Sequence, residues 1–126
     1  QDRIHFYSSP DLLTWSFESD FGKDLGAHGG VWECPDLFPM VVEESGLTKW
    51  VLLVNINPGG PNGGSANQYF VGDFDGHTFT PDPEFLTTLM SGAAETSPFN
   101  NWVDWGATIT RELPGPTFLL PTEEDS

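Results

Sequence analysis

Basic residues are scarce in this chain: 4 Lys+Arg stand against 19 Asp+Glu over 126 residues, for a net charge of −15. That balance excludes ordinary nucleic-acid binding, which depends on Lys and Arg neutralising phosphates. It also disfavours anionic membrane surfaces. Neutral partners such as sugars are compatible with it, and most of the carboxylates read as a solubilising surface. Cysteine is nearly absent. Cys34 stands alone, so an internal disulfide and a Cys-rich metal site are both excluded and the redox compartment stays open. No stretch approaches the roughly 20 apolar residues of a membrane-spanning helix, and no Asn-x-Ser/Thr sequon occurs. The start, Gln1-Asp2-Arg3-Ile4, resembles neither an initiator methionine nor a signal peptide and reads as a chain entered mid-strand. His5, His28 and His77 lack metal-ligand spacing. No Gly-Lys-Ser/Thr follows Gly59-Gly60 or Gly63-Gly64, so neither is a phosphate loop. No helical period is convincing anywhere.

Aromatics and turn formers are plentiful: 5 Trp and 10 Phe for a core, 11 Pro and 14 Gly for many bends. At this length one domain with a modest core is the natural expectation. The alternation around Ile4 and Phe6 predicts a strand over 3–8, Ser9-Pro10-Asp11 a turn, and 15–21 a returning strand. Residues 22–30 read as loop. Strands are then expected over 37–42, 49–56, 68–74 and 78–80, with a long Gly/Asn/Pro loop over 58–67 and a hairpin turn at Asp75-Gly76. Four strands joined by turns make a meander, the unit of a propeller blade, although a sandwich fits the same pattern. Residues 81–98 are expected to be irregular, 102–110 to form another strand, and 111–126, with three prolines and an acidic end, to be a disordered tail.

Val31-Trp32-Glu33-Cys34-Pro35-Asp36-Leu37-Phe38-Pro39 carries the chemical interest. A carboxylate between Trp and Cys is a candidate for desolvation, which raises a carboxyl pKa and suits it to general-acid work. Pro35 removes a backbone donor and stiffens the start of the following strand. Composition by itself favours the plainer reading, a glutamate hydrogen-bonded at a strand end. If the strand runs straight from Glu33, Asp36 falls on its opposite face. Asp73-x-Asp75-Gly76 opens like a calcium loop but lacks the distal Glu, and reads as a turn. The tryptophans are mostly core; Trp32 is the best candidate to line a sugar site.

Residues 32–39 resemble the Glu-Cys-Pro motif of family 32 glycoside hydrolases, the invertases, inulinases and levanases. Three further stretches agree in order: Ser9-Pro10-Asp11-Leu12-Leu13-Thr14-Trp15, Gln68-Tyr69-Phe70-Val71-Gly72-Asp73-Phe74-Asp75-Gly76, and Trp102-Val103-Asp104-Trp105-Gly106. The resemblance spans residues 1 to about 106. It implies an all-β fold, part of a five-bladed β-propeller, with about one complete four-stranded blade plus pieces of its neighbours. Residues 1–110 would be a partial catalytic domain. It further implies retaining hydrolysis of β-fructofuranosyl bonds in sucrose, inulin or levan, outside the cell, without cofactor or metal. Glu33 would be the general acid/base, supported by Trp32, Cys34 and Pro35. Cys34 either tunes its neighbour or is a small buried hydrophobe.

The chain also departs from the family. The nucleophilic Asp of a Met-Asn-Asp-Pro-Asn-Gly motif is absent, as is the Arg-Asp-Pro motif that grips fructose hydroxyls. Pro61-Asn62-Gly63 and Pro81-Asp82-Pro83 do not replace them. Beyond Gly106, Ala107-Thr108-Ile109-Thr110-Arg111-Glu112-Leu113 resembles a later family stretch, as if one blade were deleted. The expectation is therefore the acid/base part of a fructosidase, inactive alone. The alternatives are a non-catalytic sugar-binding module and a truncated product without function.

Overall fold

A computed structural model describes residues 3–61, 63–89 and 101–103. Strands β1 (Ile4–Ser8) and β2 (Ser16–Phe21) form an antiparallel pair running from Ile4↔Phe21 to Ser8↔Ser16, with one register shift between Phe6 and Tyr7. The turn between them is built by side chains. Asp11 Oδ1 accepts the backbone N–H groups of Leu13 (2.8 Å) and Thr14 (2.9 Å), and Ser9 Oγ accepts that of Leu12 (2.8 Å). The Thr14 and then the Leu13 N–H hold the Asp11 carboxyl below its ordinary range.

The second sheet is the expected meander: β3 (Val31–Val41), β4 (Thr48–Asn57), β5 (Ala66–Phe74) and β6 (Phe79–Pro81), in spatial order β3-β4-β5-β6. Asp75 closes the last hairpin by accepting from the N–H groups of His77 (2.8 Å) and Thr78 (2.7 Å) beside Gly76 at φ 94°. The turn reading of Asp73-x-Asp75-Gly76 therefore holds. One face of the sheet packs on the β1–β2 pair through aromatic edges: Phe21 on Phe70 (5.1 Å) and Phe79 (5.0 Å), and Phe6 on Phe74 (5.5 Å). Val51, Leu52, Val54 and Ile56 are all at most 1% exposed, so β4 is buried on both faces and its apolar run needs no alternation. Each such side chain contributes about 1.5–3 kcal/mol on burial.

Three expectations need correction. The strand expected from residue 37 begins at Val31, so Glu33 lies within β3 rather than before it. The stretch expected to be irregular contains a helix, α1 (Pro83–Leu89), with Pro in its first turn, where a missing N–H costs nothing. Seven residues are under two turns, too few to show a period, and burial of Phe85 and Leu89 holds it. The strand expected from residue 102 is, among the described residues, a single bridge between Gln68 and Trp102, flanked by bonds from Tyr69 N to Asn101 O (3.0 Å) and from Val103 N to Asn67 O (2.9 Å). The rest of that segment, the resemblance beyond Gly106 and the tail over 111–126 lie outside the described residues.

Candidate active site

The register of β3 against β4 slips at the motif. Glu33 pairs with Asn55, but Asp36 pairs with Leu53, so Cys34 and Pro35 together face the single residue Val54. This is a β-bulge, a device that bends a strand and re-aims side chains. Cys34 takes the left-handed conformation, φ 48°, which is rare for a residue with a Cβ and costs on the order of 1–2 kcal/mol. Pro35 suits the bulge because the paired ladder needs no donor there.

The bulge reverses one expectation. Asn55 and Leu53 are two apart on β4 and share a face, and directly paired residues also share one. Glu33 and Asp36 therefore lie on the same face, because the extra residue restores the parity that an odd spacing breaks. Asn55 continues the row to Asn67 on β5, so Glu33, Asn55 and Asn67 stand side by side across three strands. Neither asparagine was singled out from the sequence. The near-symmetric hairpin around residues 58–65 is the signal that could have paired them.

Glu33, Cys34, Pro35 and Asp36 are all exposed. The expected desolvation of Glu33 by its neighbours is not met in this chain, because the pleat sends Trp32 to the other side of the sheet. Nor is Cys34 a small buried hydrophobe; its thiol is free and exposed. Among the described residues no hydrogen bond or ion pair holds the Glu33 carboxylate, so the plainer reading of a strand-end glutamate finds no partner. Trp32 does not line an open surface. It is 3% exposed, donates from Nε1 to Ala27 O (2.8 Å) and stacks on His28 (4.7 Å between ring centres).

Trp32 and Gln68 instead anchor the loop that leads into β3. Gln68, fully buried, accepts the Ala27 N–H at 2.7 Å and donates to Ala27 O at 3.3 Å. His28 Nε2 donates toward Gly22 O (2.8 Å) and Leu25 O (2.9 Å). Gly30 meets the Asn57–Pro58 backbone so closely that a Cβ there would lie 2.6 Å from the Asn57 carbonyl carbon. The loops before β3 and after β4 are thus locked together at the Glu33 end of the sheet.

Other charged groups are structural. Lys49 reaches Asp82 (3.1 Å) and Asp73 (3.7 Å); the Asp82 hydrogen bond holds its ammonium above the ordinary range, against the opposing effect of desolvation. Glu18 joins the two sheets, accepting from Ser8 Oγ (2.5 Å) and His77 Nδ1 (2.9 Å), and these bonds lower its carboxyl pKa. Among the described residues no three of His, Cys, Asp and Glu converge as metal ligands would.

The Trp-Glu-Cys-Pro segment thus lies in a four-stranded meander, with its glutamate exposed beside a bulge. The chain matches the glycosyl hydrolases family 32 N-terminal domain over residues 1–109 and belongs to that family. It is 53% identical over 114 residues to a levanase of Bacillus subtilis, covering 89% of this chain and 17% of that protein. It is 46% identical over 106 residues to an extracellular exo-inulinase of Aspergillus niger, covering 82% of this chain and 18% of the relative. A fructofuranosidase from Schwanniomyces occidentalis, solved in complex with fructose, superposes with a TM-score of 0.60 at 47% identity, over 64% of this chain and 16% of that one. The chain therefore spans under a fifth of the length of these relatives.

Proposed function

We propose that this chain carries the acid/base part of a retaining β-fructofuranosyl hydrolase acting on sucrose, inulin or levan outside the cell. The observation that carries the reading is Glu33: exposed, unpaired among the described residues, and set at a bulge in the segment that resembles the family's Glu-Cys-Pro motif. Glu33 protonates the departing glycosidic oxygen, then takes a proton from the water that attacks the fructosyl intermediate. Retaining chemistry needs a second carboxyl group about 5–5.5 Å away as nucleophile. The family's nucleophilic motif does not occur in these residues, so the chain alone is inactive. Cys34 and Pro35 set the direction of Glu33 through the bulge, and Trp32 fixes the start of β3 from behind. The meander is then one blade of a five-bladed propeller, β1–β2 belongs to its neighbour, and residues 1–110 are part of the catalytic domain.

The test is transplantation. The Bacillus levanase, with its matching segment replaced by this chain, should release fructose, and Glu33→Gln should lower that release about 100-fold or more. Full activity in the Glu33→Gln hybrid would sink the assignment.

A further inference from the structure

We propose that Asn55 is a positioning residue for Glu33, an inference that rests on the acid/base reading of Glu33. The two are direct cross-strand partners on one face of β3–β4. Such partners hold their Cβ atoms about 4.5–5.5 Å apart; no hydrogen bond joins the two side chains in this structure, and a change of rotamer brings the carboxamide to the carboxylate. Asn55 is half-buried while Glu33 is exposed, so the asparagine is the constrained member of the pair. Its strand is paired on both sides and carries Val51, Leu52, Val54 and Ile56 at most 1% exposed, so it cannot shift easily. Glu33 is also the last paired residue before the bulge, so the backbone that could swing it is tethered to Asn55 on one side only.

The chemistry favours an amide here. An acid/base residue alternates between a neutral acid, which donates, and a carboxylate, which only accepts. A carboxamide carries both a carbonyl acceptor and N–H donors, so it can hold either form without changing charge. A carboxylate at this position would repel ionised Glu33, and an apolar side chain would leave it free to turn.

Two measurements test this. In the full 126-residue chain, the side-chain amide NMR signals of Asn55 should move when Glu33→Gln is introduced, while those of Asn67, one strand further, stay in place. Unmoved Asn55 signals would overturn the proposal. In the levanase hybrid, Asn55→Ala should lower kcat on sucrose about 10-fold, the effect of one hydrogen bond to a charged group, with KM little changed. Asn55→Gln should recover part of the loss. With an aryl β-fructofuranoside, whose leaving group departs without protonation, the loss should shrink. A structural role would reduce both substrates equally, and that result counts against positioning. If Glu33→Gln abolishes fructose release while Asn55→Ala does nothing, only the positioning role falls; if Glu33→Gln is harmless, the acid/base reading itself falls.

Discussion

Replacing Gln68 with Leu separates one hydrogen-bonding function from packing. The side chain is fully buried on β5, where its Oε1 accepts the Ala27 N–H at 2.7 Å and its Nε2 donates to Ala27 O at 3.3 Å. Leu keeps most of the volume and loses both bonds. The Ala27 carbonyl stays satisfied, because Trp32 Nε1 donates to it at 2.8 Å. The Ala27 N–H does not, and an orphaned buried donor costs about 1–3 kcal/mol. Gln68→Leu should therefore lower stability by about that amount, read as a shift of the urea midpoint at constant slope. Tryptophan fluorescence reports the transition, since Trp32 leaves the core as the chain unfolds. Gln68→Glu should be worse at neutral pH, because it buries a carboxylate facing Ala27 O. Burial raises the folded-state pKa of such a group, so its penalty should shrink as pH falls and the group becomes neutral. A Gln68→Leu midpoint equal to wild type, or a Gln68→Glu variant as mild as Gln68→Leu at neutral pH, would refute the reasoning.

Gly30→Ala should destabilise by about 1–3 kcal/mol, since the obstacle is the rigid Asn57–Pro58 backbone rather than a flexible side chain. Gly64→Ala, with open space around its Cβ position, is the control, and equal denaturation midpoints for the two would count against the locked-loop account. The Glu18 bonds predict acid sensitivity with a definite sign. Its folded-state pKa lies below the ordinary 4.5, so its contribution is complete above that value and is lost as pH falls through the folded-state value. The melting-temperature gap between wild type and Glu18→Gln should therefore close on acidification below about pH 4.5; a constant gap would show that the carboxylate does not join the sheets as described.

The meander was legible because its signals are local. Asp75-Gly76 fixes one hairpin, and the apolar run over 50–54 marks a strand buried on both faces. The true extent of β3 was hidden by Pro35, which read as the entry to a strand rather than a part of it but is tolerated at the edge of a sheet. The same Pro35 was the available clue to the bulge, and without the bulge the face shared by Glu33 and Asp36 cannot be derived. Trp32 was misjudged because proximity in sequence to Glu33 suggested proximity to its substrate, whereas adjacent strand residues point oppositely. Helix α1 rests on tertiary burial of Phe85 and Leu89, which a seven-residue window does not reveal.

Among the described residues β3 pairs only with β4, leaving its other side open. An open strand side is a template on which a second polypeptide can add and seed fibrous aggregates. Here the sequence blunts that hazard. Pro35 and Pro39 have no N–H to offer an incoming strand, the bulge between Glu33 and Asp36 breaks the straight run that such addition needs, and a net charge of −15 repels like chains. The two prolines of this strand thus work against its growth into an intermolecular sheet, and leave its outer margin to be approached by side chains rather than by backbone.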